Sequence, residues 1–302
     1  MNKSEFTITH GYVQDANTVR VVASIDRLKE RGSTASGLHK YIVPTNEKVC
    51  FDLDWAAIAS AVRVEPEFCG VALSLSGTAL VSRMSGNTFL EIDIDSMRPE
   101  HHGPLRDLIC TGEHFVAVGM GRQVYKLDVD QGWCSLDKGL PHAKGPGDIC
   151  GFNSVCCDHQ GTLYAVGFNG EIWVCVDDVW TELESPTPLV LNVVACGAEN
   201  DIYVMGQMGT LLVKRGGSFV VVSNEDTSDI LGGAVFLGDL FFCTATSLFR
   251  LTDGVVEEIE TGIDDNTLLS VSCCSGRICV FGPKIVITSV DGVRWEEIPW
   301  FC

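Results

Sequence analysis

The densest group of potential metal ligands in the chain is the run Cys156-Cys157-Asp158-His159. Adjacent residues of a strand point to opposite faces of a sheet, so only one of the two cysteines can face a common site. The chain also lacks any CxxC pair, the spacing typical of structural zinc sites. These cysteines are therefore predicted to be buried structural residues, Cys273-Cys274 is interpreted in the same way, and no metal site is predicted.

Two acidic pairs, Asp93-Ile94-Asp95 and Asp128-Val129-Asp130, resemble part of a calcium loop. Both lack the remaining ligands and the closing Glu, so they are predicted to be turn residues that bond their own backbone. The chain has no GxGxxG, GxxxxGK or GxSxG pattern. We therefore predict no cofactor and a protein that is not an enzyme.

The balance of charged residues limits which macromolecules the protein can bind. The chain has 302 residues, with 21 Lys and Arg against 40 Asp and Glu, and a formal net charge of -19. Such an excess of acid repels the phosphate backbone, so nucleic acid is excluded as a partner and a basic protein is favoured. Solubility alone is the alternative explanation for the acidity.

The 14 cysteines are spread along the chain, mostly inside apolar runs such as IWVCV around Cys175. This usage is typical of small buried residues in a reducing compartment. The N-terminus has no apolar signal region, and no segment approaches the ~18 apolar residues that a membrane helix needs. We therefore expect a cytoplasmic protein without a membrane partner.

One stretch shows how the chain is built. Strands are predicted at 154–157, 163–167, 171–176 and 180–183, with Asn169-Gly170 between the second and third, a strong hairpin signal. Apolar runs like 163–167 recur, and counting from position 119 to 167, 206, 244 and 282 gives steps of 48, 39, 38 and 38. Regular steps of this size are typical of one four-stranded sheet per repeat.

Two more repeats complete the count. The run around Ser82 is aligned with the second strand of its repeat, and residues 6–54 contain four further strands. The run DWAAIASAV, residues 54–62, belongs to an insertion. It is predicted to hold a short helix that starts after the Asp54 cap. The prediction is an all-β, seven-bladed β-propeller with four-stranded antiparallel blades and chain ends close in space. It forms one domain, 1–302, with repeats at about 1–65, 66–104, 105–150, 151–188, 189–226, 227–266 and 267–302.

Ser289-Val290-Asp291-Gly292-Val293-Arg294-Trp295 resembles a degenerate Asp-box, the turn found in bacterial neuraminidase repeats and in photosystem assembly-factor propellers. The Trp and Phe residues that follow Asp- and Gly-rich turns in successive repeats, Trp133, Trp180, Phe219 and Trp295, are predicted to pack between neighbouring sheets. The resemblance implies propeller blades. It does not imply catalysis, because Asp-boxes in such families lie in outer turns. The arginines of this chain are scattered at unlike positions of different repeats, so a neuraminidase active site is not expected.

In propellers, function is concentrated on the connections between blades and on the turns that join the second and third strands; this expectation comes from the fold class. The candidate partner-binding residues are His101, His102, Met120, Arg122, Asp148, Asn153, Phe168, Glu171, Gln207, Met208, Asp226, Asp229, Asp264 and Asp265, with Asn192 and Lys284 nearby in the same kinds of segment. Exposed Met and Phe among acids are typical of an interface with an apolar centre and a charged rim.

The predicted function is a non-enzymatic, cytoplasmic inhibitor or immunity protein whose acidic face covers the active site of one bacterial toxin. Toxins that act on nucleic acids are often basic, and complementary charge speeds association. An assembly factor or scaffold for a larger complex is the alternative, and a propeller hydrolase or lyase is a third.

Overall fold

The computed structural model describes residues 5–29, 34–94, 98–141, 148–197, 201–263 and 267–300. Their strands form seven four-stranded antiparallel sheets, and in each sheet the strands are neighbours in chain order. The first strand of each sheet therefore forms one edge, and the fourth strand forms the other.

The strands are numbered in chain order and grouped by sheet. Sheet 1 contains β1 (Phe6–Asp15), β2 (Thr18–Ile25), β3 (Ser36–Ile42) and β4 (Glu47–Leu53); sheet 2 contains β5 (Ala57–Arg63), β6 (Cys69–Ser74), β7 (Thr78–Arg83) and β8 (Gly86–Glu91); sheet 3 contains β9 (Leu105–Cys110), β10 (Phe115–Gly119), β11 (Val124–Asp128) and β12 (Gly132–Ser135). Sheet 4 contains β13 (Phe152–Cys157), β14 (Leu163–Gly167), β15 (Ile172–Val176) and β16 (Val179–Leu183); sheet 5 contains β17 (Leu191–Cys196), β18 (Ile202–Gly206), β19 (Leu211–Arg215) and β20 (Ser218–Val221). Sheet 6 contains β21 (Gly232–Phe236), β22 (Asp239–Cys243), β23 (Leu248–Thr252) and β24 (Val255–Ile259); sheet 7 contains β25 (Ser270–Cys274), β26 (Arg277–Phe281), β27 (Val286–Ser289) and β28 (Glu296–Glu297).

The helices of the described residues are short: α1 (Asp26–Lys29), α2 (Pro99–His102) and two single 3₁₀ turns, Phe168–Gly170 and Gln207–Gly209. Among the described residues, no helix has the length and apolar character needed to cross a membrane. The chain divides into two compact units, Met1–Ala57 with Ser223–Cys302 (unit 1) and Ile58–Val222 (unit 2).

The predicted hairpin of sheet 4 is confirmed. Asn169 and Gly170 have φ values of 56° and 73°, the left-handed conformation that an Asn-Gly turn adopts at little cost. The strands on either side lie within one residue of the predicted bounds, except that β13 begins two residues earlier, at Phe152.

The helix predicted after Asp54 is wrong, because 57–63 is strand β5. Ala57, Ala59 and Ala61 are buried and alternate with more exposed residues, which is the two-residue period of a strand. Missing this strand shifted the predicted alignment of the repeat. Ser82 lies in β7, the third strand of sheet 2, whereas the second strand is β6.

In unit 2 the core lies between neighbouring sheets. The Trp180 ring of sheet 4 stacks on Phe152 with centroids 5.8 Å apart, and its Nε1 donates to the Leu136 carbonyl beyond β12, at 2.7 Å. Burying a large ring while pairing its N–H is favourable. The predicted role of this Trp, packing between neighbouring sheets, is confirmed.

In unit 1 the two ends of the described chain share one core. Phe6 and Ile8 of β1 pack with Phe281 of β26 and with Trp300. Gly11 permits this packing, because a Cβ at its position would lie 2.2 Å from a Phe281 ring atom. The predicted proximity of the chain ends is therefore seen for the described residues.

Cys156, which was expected to be a buried structural residue, forms a disulfide with Cys196 that joins β13 to β17. The first strands of sheets 4 and 5 lie side by side and place the two Cα atoms 6.2 Å apart, within the usual range for a disulfide. Ten other described cysteines are free thiols.

The Asp-box-like turn follows β27. The Ser289 Oγ accepts from the Gly292 N–H at 2.9 Å, and the Asp291 carboxylate accepts from the N–H groups of Val293 and Arg294 at 2.9 and 2.8 Å. Trp295 then packs edge-on against Phe241 of sheet 6, with centroids 6.3 Å apart. The turn therefore directs its Trp into the core between sheets 6 and 7.

The Asp291 turn gives a pH-dependent prediction. Hydrogen bonds from the backbone N–H groups of Arg294 and Val293 lower the pKa of Asp291, so its stabilising effect is complete above the ordinary value of 3.8. It is lost as the pH falls through the lowered folded-state pKa. We expect Asp291→Asn to have a lower Tm than the wild type at pH 6, and the gap to narrow towards pH 3. A gap that stays constant over this range contradicts the assignment.

Candidate protein-binding face

The antiparallel order brings certain loops to one end of each sheet. The first strand begins, the second ends and the third begins at the same end, so the entering connection meets the turn between the second and third strands. In unit 2, Gly121 N–H donates to the Cys150 carbonyl at 2.9 Å, Phe168 N–H to Gly151 at 3.1 Å, and Gln207 N–H to Val190 at 2.9 Å. We call this end, formed by residues 101–106, 120–123, 148–153, 168–171, 189–192 and 207–210, the turn face of unit 2.

A bulge opens the first strand of three successive sheets at this face. Leu105 pairs with Gly119 and Asp107 with Val118, which leaves Arg106 as an extra residue. Asn153 of sheet 4 and Asn192 of sheet 5 are extra residues in the same way. Bulges redirect side chains and are enriched next to functional sites. Asn153 was predicted as a binding residue, and its amide donates to the Leu191 carbonyl at 3.0 Å.

Arg106 extends from its bulge over the neighbouring sheet. Its guanidinium carbon lies 5.9 Å from the centroid of the Phe168 ring, and its Nη2 lies 3.9 Å from the Met120 sulfur. The arrangement brings together two predicted residues, Met120 and Phe168, around an exposed cation. Arg106 was not predicted in this role, because a bulge is visible only once the strand register is known.

The apolar part of the turn face is exposed. Met208 is 64% exposed and Ile149 is 61% exposed. Met208 also has a φ of 54°, a conformation that costs a non-glycine residue of order 1 kcal/mol. Asn169 donates from its amide to the Ile149 carbonyl at 2.8 Å, which fixes the connection that carries Ile149. Ile149 was not predicted, because it lies in a polar segment without periodicity.

Arg122 and Glu171 lie within the turn face and pair with each other. The Arg122 Nε and Nη2 donate to the two carboxylate oxygens at 2.5 and 3.0 Å, and Trp173 Nε1 donates to the same carboxylate at 3.2 Å. The two side chains are only 17% and 5% exposed. The pair links the turn of sheet 3 to the turn of sheet 4. The two charges therefore bind each other within the protein.

The remaining predicted residues are distributed as follows. His101 is exposed and His102 half-buried at the end of α2, Asp148 is exposed, and Gln207 accepts from the Val190 N–H through its Oε1 at 3.3 Å.

Asp226 and Asp229 belong to unit 1, in the connection before β21, where Asp226 accepts from the Ser228 N–H at 2.6 Å. Asp264 and Asp265 lie outside the described residues. Lys284 of unit 1 donates to Asp26 at 2.8 Å.

An acidic groove lies beside the turn face of unit 2. It has a volume of about 640 Å³ and is lined by Asn169, Glu182, Glu184, Ser185, Thr187 and Pro188, among others. Glu182 and Glu184 come from the end of β16 and the residues that follow it. Neither was among the predicted residues, and their carboxylates make this side of the turn face acidic.

Among the described residues, no three His, Cys, Asp or Glu side chains are close enough together to hold a metal ion. Cys150 is buried behind the face, and burial raises the pKa of its thiol, which keeps the thiol protonated at neutral pH.

Solved structures with the same architecture share little sequence with this chain. The β-propeller domain of the Trilobed protease from Pyrococcus furiosus, described as having an open velcro topology, aligns over 99% of this chain and 97% of its own length, with a TM-score of 0.66 and 10% identity. YCF48 bound to D1 peptide aligns over 94% and 91%, with a TM-score of 0.68 and 12% identity. The chain folds as a seven-bladed β-propeller. The predicted fold class is confirmed, and these likenesses show the fold alone.

A catalytically inactive virginiamycin B lyase from Staphylococcus aureus also shares the fold, with a TM-score of 0.64 and 11% identity over 79% of this chain and 83% of the lyase. No protein-family model matches the sequence. The immune protein Tsi7 of Pseudomonas aeruginosa strain PAO1 is 30% identical over 198 residues, which is 65% of this chain and 64% of Tsi7. The match thus spans less than two thirds of that relative.

The Arg122–Glu171 pair gives a stability prediction. Glu171→Gln leaves the Arg122 charge largely buried without its counter-ion, so we expect the free energy of unfolding to fall by about 2–3 kcal/mol. Arg122→Met should cost a similar amount, and the double variant less than the sum, because neither charge then remains unpaired. Urea unfolding of the three variants measures the coupling. Additive losses would show that the two side chains act independently.

Proposed function

We propose that the protein is a non-enzymatic, cytoplasmic immunity protein, a single propeller domain that binds a basic toxin through the turn face and blocks the toxin's active site. The observation that carries the proposal is the 30% identity to the immune protein Tsi7. The absence of a metal-binding cluster among the described residues is consistent with binding, although propellers also serve as lyases and protease domains.

Charge supports a basic partner. The net charge of -19 favours encounter with a positive surface and suppresses binding to other acidic proteins. Glu182 and Glu184 add local negative potential beside the turn face. Rim charges of this kind mainly raise the association rate and make it depend on salt.

Apolar side chains supply the expected anchor. Met208, Ile149 and Phe168 project from turns whose backbones are tied to neighbouring connections. Pre-ordered turns lose little conformational entropy on binding, so the burial of these side chains contributes more of its free energy to affinity. Arg106 beside Phe168 adds a cation that can pair with an acidic residue of the toxin and fix its orientation.

The test begins with a partner isolated from cells of the native source by affinity capture on the tagged protein. We expect a stoichiometric protein with a basic isoelectric point whose toxic activity is lost in the complex. A stoichiometric partner that keeps its activity when bound, or that is acidic, contradicts the proposal.

Met208 gives the sharpest test of the binding face. Met208→Asn should weaken the complex about tenfold by removing an exposed anchor. The same change should stabilise the free protein by about 0.5 kcal/mol, because Asn tolerates positive φ better than Met. Isothermal titration and thermal unfolding measure the two effects.

Leu237→Asn is the matched control. Leu237 has a φ of 53° and is 70% exposed, but it lies between β21 and β22, at the opposite end of its sheet from the turn joining the second and third strands. It should show the same gain in stability with unchanged affinity. If the two variants weaken binding equally, the turn face is not the binding site.

The acidic rim gives a kinetic prediction. Glu182→Lys with Glu184→Lys should lower the association rate constant at low salt at least fivefold and reduce its salt dependence, since the steering field is weakened. Glu113→Lys with Asp201→Lys makes the same charge change in the turns between first and second strands and serves as the control. Stopped-flow mixing at 20 and 300 mM NaCl measures both. Equal losses in the two double variants would mean that net charge alone sets the rate.

A further inference from the structure

His39 lies in the core of unit 1 between two aromatic rings. It belongs to β3 and is 3% exposed. The Phe6 ring lies edge-on to it with centroids 5.2 Å apart, and the Trp300 ring does the same at 5.6 Å. Gly37, two residues earlier on the same face of β3, leaves room for the imidazole, since a Cβ there would lie 2.6 Å from Nε2.

The imidazole has no hydrogen-bond partner among the described residues. Both Nδ1 and Nε2 are buried without one, a state that is costly for a neutral ring and much more so for a charged one. Of the elements packed around the ring, β1 contributes Phe6, the final segment contributes Trp300, and β4 contributes Asp52, the described charged group that acts on His39. Burial outweighs the attraction of Asp52 and lowers the pKa of His39.

His39 and Trp300 also lie where sheet 7 contacts sheet 1. Ile298 N–H donates to the Val286 carbonyl of β27 at 2.8 Å, so the segment 298–300 continues from sheet 7 and places Trp300 against sheet 1. Other hydrogen bonds between these two sheets do not involve His39. Ile8 N–H donates to the Pro283 carbonyl at 2.8 Å, and Arg277 Nε donates to the Ala16 carbonyl at 2.6 Å.

We propose that His39 is an acid-sensitive switch that holds the Trp300 segment against sheet 1 when neutral and releases it when protonated, while the rest of unit 1 stays folded. A charged imidazolium between the Phe6 and Trp300 rings has no hydrogen-bond acceptor. It can be hydrated only if the Trp300 segment moves away. The released state binds the proton at an ordinary His pKa of about 6.5. Each pH unit below that value therefore raises the released population about tenfold, until the closed state is itself protonated.

The test uses the full chain labelled with 5-fluorotryptophan, whose Trp300 resonance is assigned from Trp300→Phe. Between pH 7.5 and 5.5 we expect the ¹⁹F signal of Trp300 to move or broaden towards an exposed environment and to recover when the pH is raised again. The signals of the other five tryptophans should stay in place, which distinguishes local release from unfolding.

Two substitutions of His39 keep the proposal testable. His39→Leu fills the site with an apolar side chain, and His39→Gln keeps a polar group that does not titrate. In both, the Trp300 signal should be independent of pH over this range, whereas His114→Gln, in unit 2, should behave like the wild type. A wild-type Trp300 signal that does not change, or a change that persists in both His39 variants, overturns the proposal. The result does not depend on the proposed function.

Discussion

The contact between neighbouring sheets depends on how the first strand of a sheet satisfies the backbone groups on its unpaired edge. That strand is paired on one side only, so its other backbone N–H groups need acceptors. In three of the sheets, a side chain of the adjoining sheet supplies one such acceptor. The Asp107 carboxylate accepts from Val155 N–H at 3.0 Å and the Ser154 hydroxyl from Val194 N–H at 3.4 Å in unit 2, while the Ser272 hydroxyl accepts from Val13 N–H at 3.1 Å in unit 1. The repeated bond sets the register between neighbouring sheets.

This register determines what the turn face can be. Sheets tied along their first strands place the turns between second and third strands against the next connection, so the turns are held by backbone bonds as well as by their own sequence. The face can therefore contain features that lower the stability of the fold. Examples are Met208 in a left-handed conformation and the buried Arg122–Glu171 pair. Strain and buried charge persist where the surroundings fix them, which is typical of functional surfaces.

Local signals in the sequence were sufficient for most of the fold. The Asn169-Gly170 turn and the regular spacing of apolar runs identified the four-stranded repeat, because turn conformation and burial act over a few residues. At Ala57–Arg63 the small residues are compatible with both a helix and a strand. Packing in the fold determines that this segment is a strand, so the predicted helix was wrong. The Cys156–Cys196 disulfide and the Arg122–Glu171 pair join different sheets. Their formation depends on the register between sheets, which the sequence of one repeat does not encode.

We propose that the partner binds the end of the sheets where connections meet the turns between second and third strands. Hydrogen exchange of the isolated complex, compared with that of the free protein, locates the bound surface. We expect slowed exchange in residues 120–123, 168–171 and 207–210, with no change in the opposite turns at 111–114 and 158–162. Protection confined to those opposite turns, or to the outer strands β12, β16 and β20, would contradict it.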